Sequence, residues 1–167
     1  GDDEAGKALQ NELAKLPTIH FDLVTITGRP TSLKTRFRAG SQQILRVDDE
    51  VNSDIDAAAA EQFSKYALPA VQDADLVVLS DYAKGALVPL LIERIIAEAK
   101  AKGKMIVADP KHADISAYSG VDLLTPNLAE LQNTTNQILS SVEVIGQAAT
   151  TLAKEFGIGS ILTTMSA

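Results

Sequence analysis

The chain has 167 residues, of which 46% are hydrophobic, and this length is sufficient for one domain with a substantial core. Its formal net charge of -7 argues against nonspecific nucleic-acid binding, and no apolar run approaches the roughly 20 residues of a membrane-spanning helix. The absence of cysteine excludes disulfides and thiol catalysis, and two histidines are too few for a multi-histidine metal site.

In chain order, apolar residues recur at helical spacing over residues 4–16, and β-branched residues at 21–27 predict a strand. Residues 33–47 alternate between basic and other side chains around a Gly-Ser turn, which predicts a small two-stranded flap with one wet face. Ser53, followed three positions later by Asp56, resembles a capping box and predicts a helix over 54–71.

The second half alternates apolar strands with helices. Strands are predicted at 76–79, 105–108, 123–124 and from 161, and helices at 87–101, closed by Gly103, and from Ser140 to about 156. Continuous apolar strands joined by helical crossovers predict an α/β fold whose mostly parallel sheet is covered on both faces. The sequence begins like a turn after a strand and ends in a starting strand, so we expect the central part of a domain, incomplete at both ends.

Polar residues follow three of these strands, and ligands of open parallel sheets bind beyond the carboxyl ends of the strands. Asp109 and Lys111 flank a proline after the second strand, where a lysine can serve phosphate as a point charge. Asn127 and Glu130 follow the third strand; they suit a helix cap, and equally a Mg²⁺ site, because hard cations prefer oxygen ligands. The 80–85 loop contains hydroxyl, carboxylate and ammonium groups, and its composition favours neither a structural nor a substrate-facing role.

The flap concentrates positive charge in an acidic chain, through Lys34, Arg36, Arg38 and Arg46. Such charged side chains usually lie on the solvent-exposed surface. A compact dianion such as a sugar phosphate would also suit them, because arginine can bind phosphate bidentately. We interpret His20 and His112 as structural, since neither has a visible partner in the sequence.

Several stretches together resemble the heptose 7-phosphate kinases of lipopolysaccharide core synthesis, which are ribokinase-like (PfkB) carbohydrate kinases: LSDYAKGAL at 79–87, DPK at 109–111 and LLTPNLAE at 123–130. The flap, from KTRFR at 34–38 onward, and the Gly-x-Asp-x-x-Gly turn at 1–6 are also similar to this family. The resemblance implies a three-layer α/β/α fold, with residues 1–167 forming the central part of one kinase domain and 33–47 its lid.

The resemblance further implies transfer of the γ-phosphate of ATP, with Mg²⁺, to the anomeric hydroxyl of heptose 7-phosphate on the route to ADP-heptose. Asn127 would organise the phosphates and Glu130 the Mg²⁺. Asp109 and Lys111 would line the nucleotide-phosphate end. A cytoplasmic homodimer joined through the flap is expected, with no nucleic-acid or membrane partner.

At the acceptor end, the resemblance implies that Lys34 and Arg36 contact the sugar phosphate and that Asp81 and Lys84 face the substrate cleft. The family's Gly-Ala-Gly-Asp turn, which carries the general base, does not occur in this sequence. We therefore expect no catalytic base within residues 1–167, a base further downstream, and no turnover by this chain alone. Two alternatives remain open: a ribokinase-like kinase for another phosphorylated sugar, and a noncatalytic nucleotide- or sugar-phosphate-binding α/β module.

Overall fold

A computed structural model describes residues 1–112 and 114–165. The chain divides into two compact units, Gly1–Ser53 and Asp54–Ala167. Within the described part of the chain, none of the helices combines the length and apolar character that a bilayer crossing requires.

The first unit contains one helix and one β-hairpin. Helix α1 spans Glu4–Leu13, and strands β1 (Leu33–Ala39) and β2 (Gln42–Asp49) pair antiparallel with a register shift after Phe37. The hairpin forms a sheet of its own, separate from the sheet of the second unit, as the alternating pattern predicted.

Two details of the first unit differ from the sequence predictions. The predicted strand at 21–27 is wrong, because these residues are irregular and pair with no other strand in the described chain. A β-branched run cannot form a strand without a partner for its backbone groups. Helix α1 also stops three residues before the predicted end, and turns follow it.

The second unit is a parallel sheet with helices between its strands. The strands are β3 (Leu76–Ser80), β4 (Met105–Asp109), β5 (Leu123–Leu124) and β6 (Ser160–Ile161), in that spatial order. The helices of this unit are α2 (Ala57–Asp73), α3 (Pro89–Ala101), a short 3₁₀ helix (Ser116–Tyr118), α4 (Leu128–Thr135) and α5 (Val142–Glu155). Helix α2 precedes the first strand of the sheet. The predicted parallel α/β architecture is confirmed.

Two helices begin at a different cap from the one predicted. Asp56, not Ser53, caps α2, and its carboxylate accepts a 2.8 Å hydrogen bond from the Ala59 amide. Ser141, not Ser140, caps α5 through the Val144 amide at 3.3 Å. In both cases two residues close in the sequence could each cap a helix, and the residue types alone do not decide between them.

The core lies on one face of the sheet. Val77, Leu79, Ile106 and Leu124 are buried, whereas alternate residues such as Val78 remain exposed. Leu76, Val78 and Met105, at the alternate positions of β3 and β4, are exposed, so within the described residues the apolar core packs against one face of these two strands.

Candidate active site

The loops that follow β3, β4 and β5 meet at the carboxyl edge of the sheet. The Asp81 amide donates to the Asp109 carbonyl at 3.1 Å, and the Thr125 amide donates to the Ala108 carbonyl at 2.9 Å. These bonds extend the parallel ladder beyond the strands. The sheet register therefore brings the predicted site residues of three separate loops to one edge.

Lys111 lies between two carboxylates at this edge. Its Nζ is 3.1 Å from Asp109 Oδ1 and 2.9 Å from Glu130 Oε1. Partial burial lowers the pKa of the Lys111 ammonium, but the carboxylates of Glu130 and Asp109 outweigh this effect and raise the pKa above its ordinary value. The lysine therefore stays protonated between the two carboxylates.

Glu130 also belongs to the N-terminal cap of α4. Its amide donates to Asn127 Oδ1 at 2.9 Å, and its Oε2 accepts from the Asn127 amide at 2.8 Å, which completes a capping box. The capping interpretation is confirmed. One carboxylate oxygen serves the cap while the other contacts Lys111, so the helix fixes the position of the charge.

Asp81 is almost completely enclosed, with 2% of its surface exposed. Its Oδ1 accepts from the Ala83 amide at 2.8 Å, and its Oδ2 accepts from the Tyr118 hydroxyl at 2.7 Å. Burial and the neighbouring Asp81 raise the pKa of Tyr118 well above its ordinary value, so the phenol stays protonated and donates.

The interpretation that His112 has no partner is wrong. Its Nε2 lies 3.6 Å from Asp81 Oδ2. His112 and Tyr118 were both missed as parts of this edge, because their contacts with Asp81 span 31 and 37 positions of sequence. In the sequence, only the tyrosine at position 118 could have indicated such a contact, because a tyrosine that becomes buried usually finds a hydrogen-bond partner for its hydroxyl.

Two basic residues of the hairpin, Lys34 and Arg46, form ion pairs within their own unit. Lys34 Nζ is 3.2 Å from Asp48 and 2.7 Å from Glu50, and both acids raise the pKa of the lysine, Glu50 the more strongly. Arg46 contacts Asp48 at 3.0 Å, and Arg36 stands directly opposite Arg46 across the ladder. The hairpin therefore presents a mixed-charge face.

The predicted site residues thus fall into two groups. Asp109, Lys111, Asn127 and Glu130 are joined by direct contacts, and the loop that carries Asp81 and Lys84 adjoins them through the backbone. Lys34 and Arg36 lie in the other unit. Among the described residues there is no group of three or more acidic, histidine or cysteine side chains arranged to hold a metal ion.

Comparison with known proteins identifies the family of the chain. The family model for pfkB family carbohydrate kinases matches residues 1–167. The chain belongs to the pfkB family of carbohydrate kinases. The match covers the hairpin unit as well as the sheet unit.

Curated relatives of this pfkB-family chain include two proteins named Bifunctional protein HldE. The protein from Acidiphilium cryptum (strain JF-5) is 36% identical over 166 residues, which are 99% of this chain and 34% of the relative. The protein from Rhodopseudomonas palustris (strain BisA53) is 42% identical over 151 residues, 89% of this chain and 31% of the relative. The chain thus spans about a third of the length of these relatives.

Solved structures confirm the ribokinase-like fold. Phosphofructokinase-2 from Escherichia coli, in complex with potassium, superposes with a TM-score of 0.74 at 16% identity, over 98% of this chain and 53% of that chain. Arabidopsis thaliana ribokinase, complexed with ribose and ATP, gives a TM-score of 0.71 at 18% identity, over 99% and 53%. At these identities the similarity establishes the fold alone.

Proposed function

We propose that the protein is an ATP-dependent sugar kinase that phosphorylates the anomeric hydroxyl of heptose 7-phosphate, on the route to ADP-heptose. The observation that carries this proposal is the contact of Lys111 with Asp109 and Glu130 at the carboxyl edge of the sheet. Family membership supports the kinase class. The heptose acceptor is supported by the motifs at 79–87, 109–111 and 123–130 and by the similarity to the HldE relatives.

The nucleotide end of the proposed site comprises Asp109, Lys111, Asn127 and Glu130. Phosphoryl transfer depends almost entirely on positioning and on stabilising the charge of the transferred group. Lys111 supplies a fixed positive charge, and the α4 cap holds the Glu130 carboxylate at a defined place. The side chains of Lys111 and Glu130 are both partly exposed, so phosphate can reach them.

Mg²⁺ fits the donor chemistry of this edge. The Glu130 carboxylate is a hard oxygen donor whose position is fixed by the α4 cap. We propose that Glu130 holds Mg²⁺, while Asp109 and Lys111 line the nucleotide-phosphate end. The ion would neutralise charge on the phosphates of ATP.

We assign the sugar-phosphate contacts to Lys34 and Arg36 of the hairpin, because the motif at 34–38 resembles the lid of the family. Arg36 lies opposite Arg46 on the ladder, and Arg46 contacts Asp48. A sugar phosphate suits Arg36 because arginine can bind phosphate bidentately, and Lys34, which contacts Asp48 and Glu50 in the hairpin, would contact the same phosphate. Asp81 and Lys84, in the loop after β3, are proposed separately as residues of the substrate cleft.

A homodimer through the hairpin is part of the proposal. Leu33, Phe37, Leu45 and Val47 lie on one face of the hairpin, opposite the charged face, and each is about half exposed. A second hairpin would bury this apolar strip. Sedimentation of the whole protein tests the point; a strictly monomeric species at all concentrations would contradict it.

The acceptor is tested by following ATP consumption in the whole protein with heptose 7-phosphate, unphosphorylated heptose and fructose 6-phosphate. We expect turnover with heptose 7-phosphate and at least a hundredfold lower kcat/KM with the other two. Turnover with fructose 6-phosphate alone would indicate a kinase for another phosphorylated sugar. Tight ligand binding without any ATP consumption would indicate a noncatalytic module.

Arg36→Ala sharpens the acceptor assignment. Loss of a charge-assisted hydrogen bond costs about 1.5–3 kcal/mol, so we expect KM for the sugar phosphate to rise roughly ten- to a hundredfold with little change in kcat. Arg94→Ala is the control, because Arg94 pairs with Glu61 on the helical surface. An unchanged KM in Arg36→Ala would show that this arginine is only a solvated charge.

A further inference from the structure

The loop after β3 has an unusual backbone. Ala83 has a φ of +52°, and Gly85 has a φ of +70°. The left-handed region is open to glycine but is rarely occupied by a residue with a side chain such as alanine. Such a conformation persists only where the surroundings impose it, and it is concentrated at functional sites.

Two contacts impose the conformation of this loop. The Asp81 carboxylate accepts from the Ala83 amide at 2.8 Å, two residues further on, and the Gly85 carbonyl accepts from the Ile55 amide at 2.9 Å. The first contact depends on the orientation of the Asp81 carboxylate, and Asp81 is only 2% exposed. A buried carboxylate needs partners for both oxygens, because water cannot reach it.

The second oxygen of that carboxylate has its partner in a distant element. Tyr118 ends the short 3₁₀ helix, is 1% exposed, and donates from its hydroxyl to Asp81 Oδ2 at 2.7 Å. Each oxygen of Asp81 therefore has one short hydrogen bond, one towards Tyr118 and one towards the loop backbone. The geometry forms a chain from the 3₁₀ helix, through Asp81, to Ala83.

We propose that Tyr118 is a positioning residue of the kinase, which fixes the Asp81 carboxylate and thereby the backbone at Ala83 and the neighbouring Lys84. Asp81 then acts on the loop rather than on the sugar directly, since its carboxylate is enclosed and already bonded. The effect on the loop stands on the contacts described; the effect on catalysis rests on the proposed kinase function.

Hydrogen exchange of the Ala83 amide in Tyr118→Phe tests the effect on the loop. The substitution removes only the hydroxyl, and loss of a hydrogen bond to a charged group predicts roughly ten- to a hundredfold faster exchange at Ala83. Tyr66→Phe is the matched control, because it makes the same change on an exposed tyrosine of α2. The Ile106 amide, which donates to Asp122, reports whether the sheet remains folded.

Asp81→Asn supplies the conservative comparison. The amide keeps an oxygen for the Ala83 N–H and can donate from its nitrogen to the Tyr118 oxygen, so we expect exchange at Ala83 to stay within a few fold of wild type. Asp81→Ala removes both interactions and is expected to exchange at least as fast as Tyr118→Phe. If Tyr118→Phe leaves Ala83 exchange unchanged while Ile106 stays protected, the proposal is wrong.

Kinetics of the whole protein then connect the loop to the reaction. We expect Tyr118→Phe to raise KM for the sugar phosphate about tenfold, with KM for ATP unchanged, and Tyr66→Phe to alter neither. A Tyr118→Phe enzyme with faster Ala83 exchange but unaltered sugar KM would overturn the role in acceptor binding. If exchange responds as expected and wild type consumes no ATP, the loop contact stands and the proposed kinase function fails.

Discussion

The hairpin and the sheet edge use the same kinds of charged residue in opposite ways. Every residue of β1 and β2 is exposed, and Lys34 pairs with Asp48 across this open ladder. At the sheet edge, a helix cap holds Glu130, which in turn contacts Lys111, and the strands that precede them carry buried apolar residues. The comparison teaches that burial of the supporting backbone, rather than charge content, gives a polar group a fixed position.

The largest expected effect on stability contrasts a buried residue of the sheet with an exposed residue of the hairpin. Leu124 of β5 is fully buried, whereas Leu45 of β2 is 53% exposed. Leu124→Ala should lower the free energy of unfolding of the sheet unit by about 2–5 kcal/mol, because it loses buried surface and leaves a cavity. Leu45→Ala should change stability by no more than about 0.5 kcal/mol.

Urea unfolding of both variants, at a dilution where the chain is monomeric, measures this difference. Equal destabilisation by the two substitutions would contradict the distinction between an exposed hairpin and a buried core.

A smaller effect is expected at the helix cap. Asn127→Ala removes the side chain that accepts from the Glu130 amide, and should cost about 1 kcal/mol in the free energy of unfolding. Asn133→Ala makes the same change on the exposed face of α4 and should be near neutral. Thermal melts compare the two. A neutral Asn127→Ala would mean that the cap does not support the site.

The smallest effect concerns the hairpin unit and appears only in acid. Hydrogen bonds from the Thr31 and Gly6 amides lower the pKa of Asp3 to about 2. Its contribution to stability is therefore complete above the ordinary carboxyl pKa of 3.8 and is lost as the pH falls towards 2. An NMR titration of the Asp3 carboxyl carbon measures the pKa, and Asp3→Asn should remove this acid-dependent loss. Titration near 3.8 would show that the two amides do not hold Asp3.

The sequence was sufficient for the parts of the fold that depend on local patterns. The apolar run at 76–79 specified β3, and the alternation at 33–47 specified a separate hairpin. The run at 21–27 looked equally strand-like and forms no strand, because pairing depends on a neighbour that the local sequence does not reveal. Helix starts were uncertain wherever two capping residues were available, as at Ser53 and Asp56.

The candidate site was predictable where its residues follow recognisable strands. Asp109, Lys111, Asn127 and Glu130 follow recognisable strands, and the register of a parallel sheet brings such positions together. The partners of Asp81 could not be found in this way. His112 and Tyr118 reach Asp81 through the loop after β4 and the 3₁₀ helix, and neither element has a periodic pattern.

The central claim is that the charge at the sheet edge serves phosphoryl transfer and is more than a helix cap. Glu130→Gln separates these roles, because glutamine can still accept the Asn127 amide in a capping box while it loses the charge beside Lys111. Glu93→Gln, on the exposed surface of α3, is the matched control.

The decisive measurement is the kcat of the Glu130→Gln whole protein across a Mg²⁺ titration, with a thermal melt of the same sample. We predict a nearly unchanged melting temperature, a kcat reduced by roughly a hundredfold or more, and an altered Mg²⁺ dependence. Glu93→Gln should match wild type in all three. A Glu130→Gln protein that melts early but retains wild-type kcat and Mg²⁺ dependence when folded would contradict the assignment and leave Glu130 as a capping residue alone.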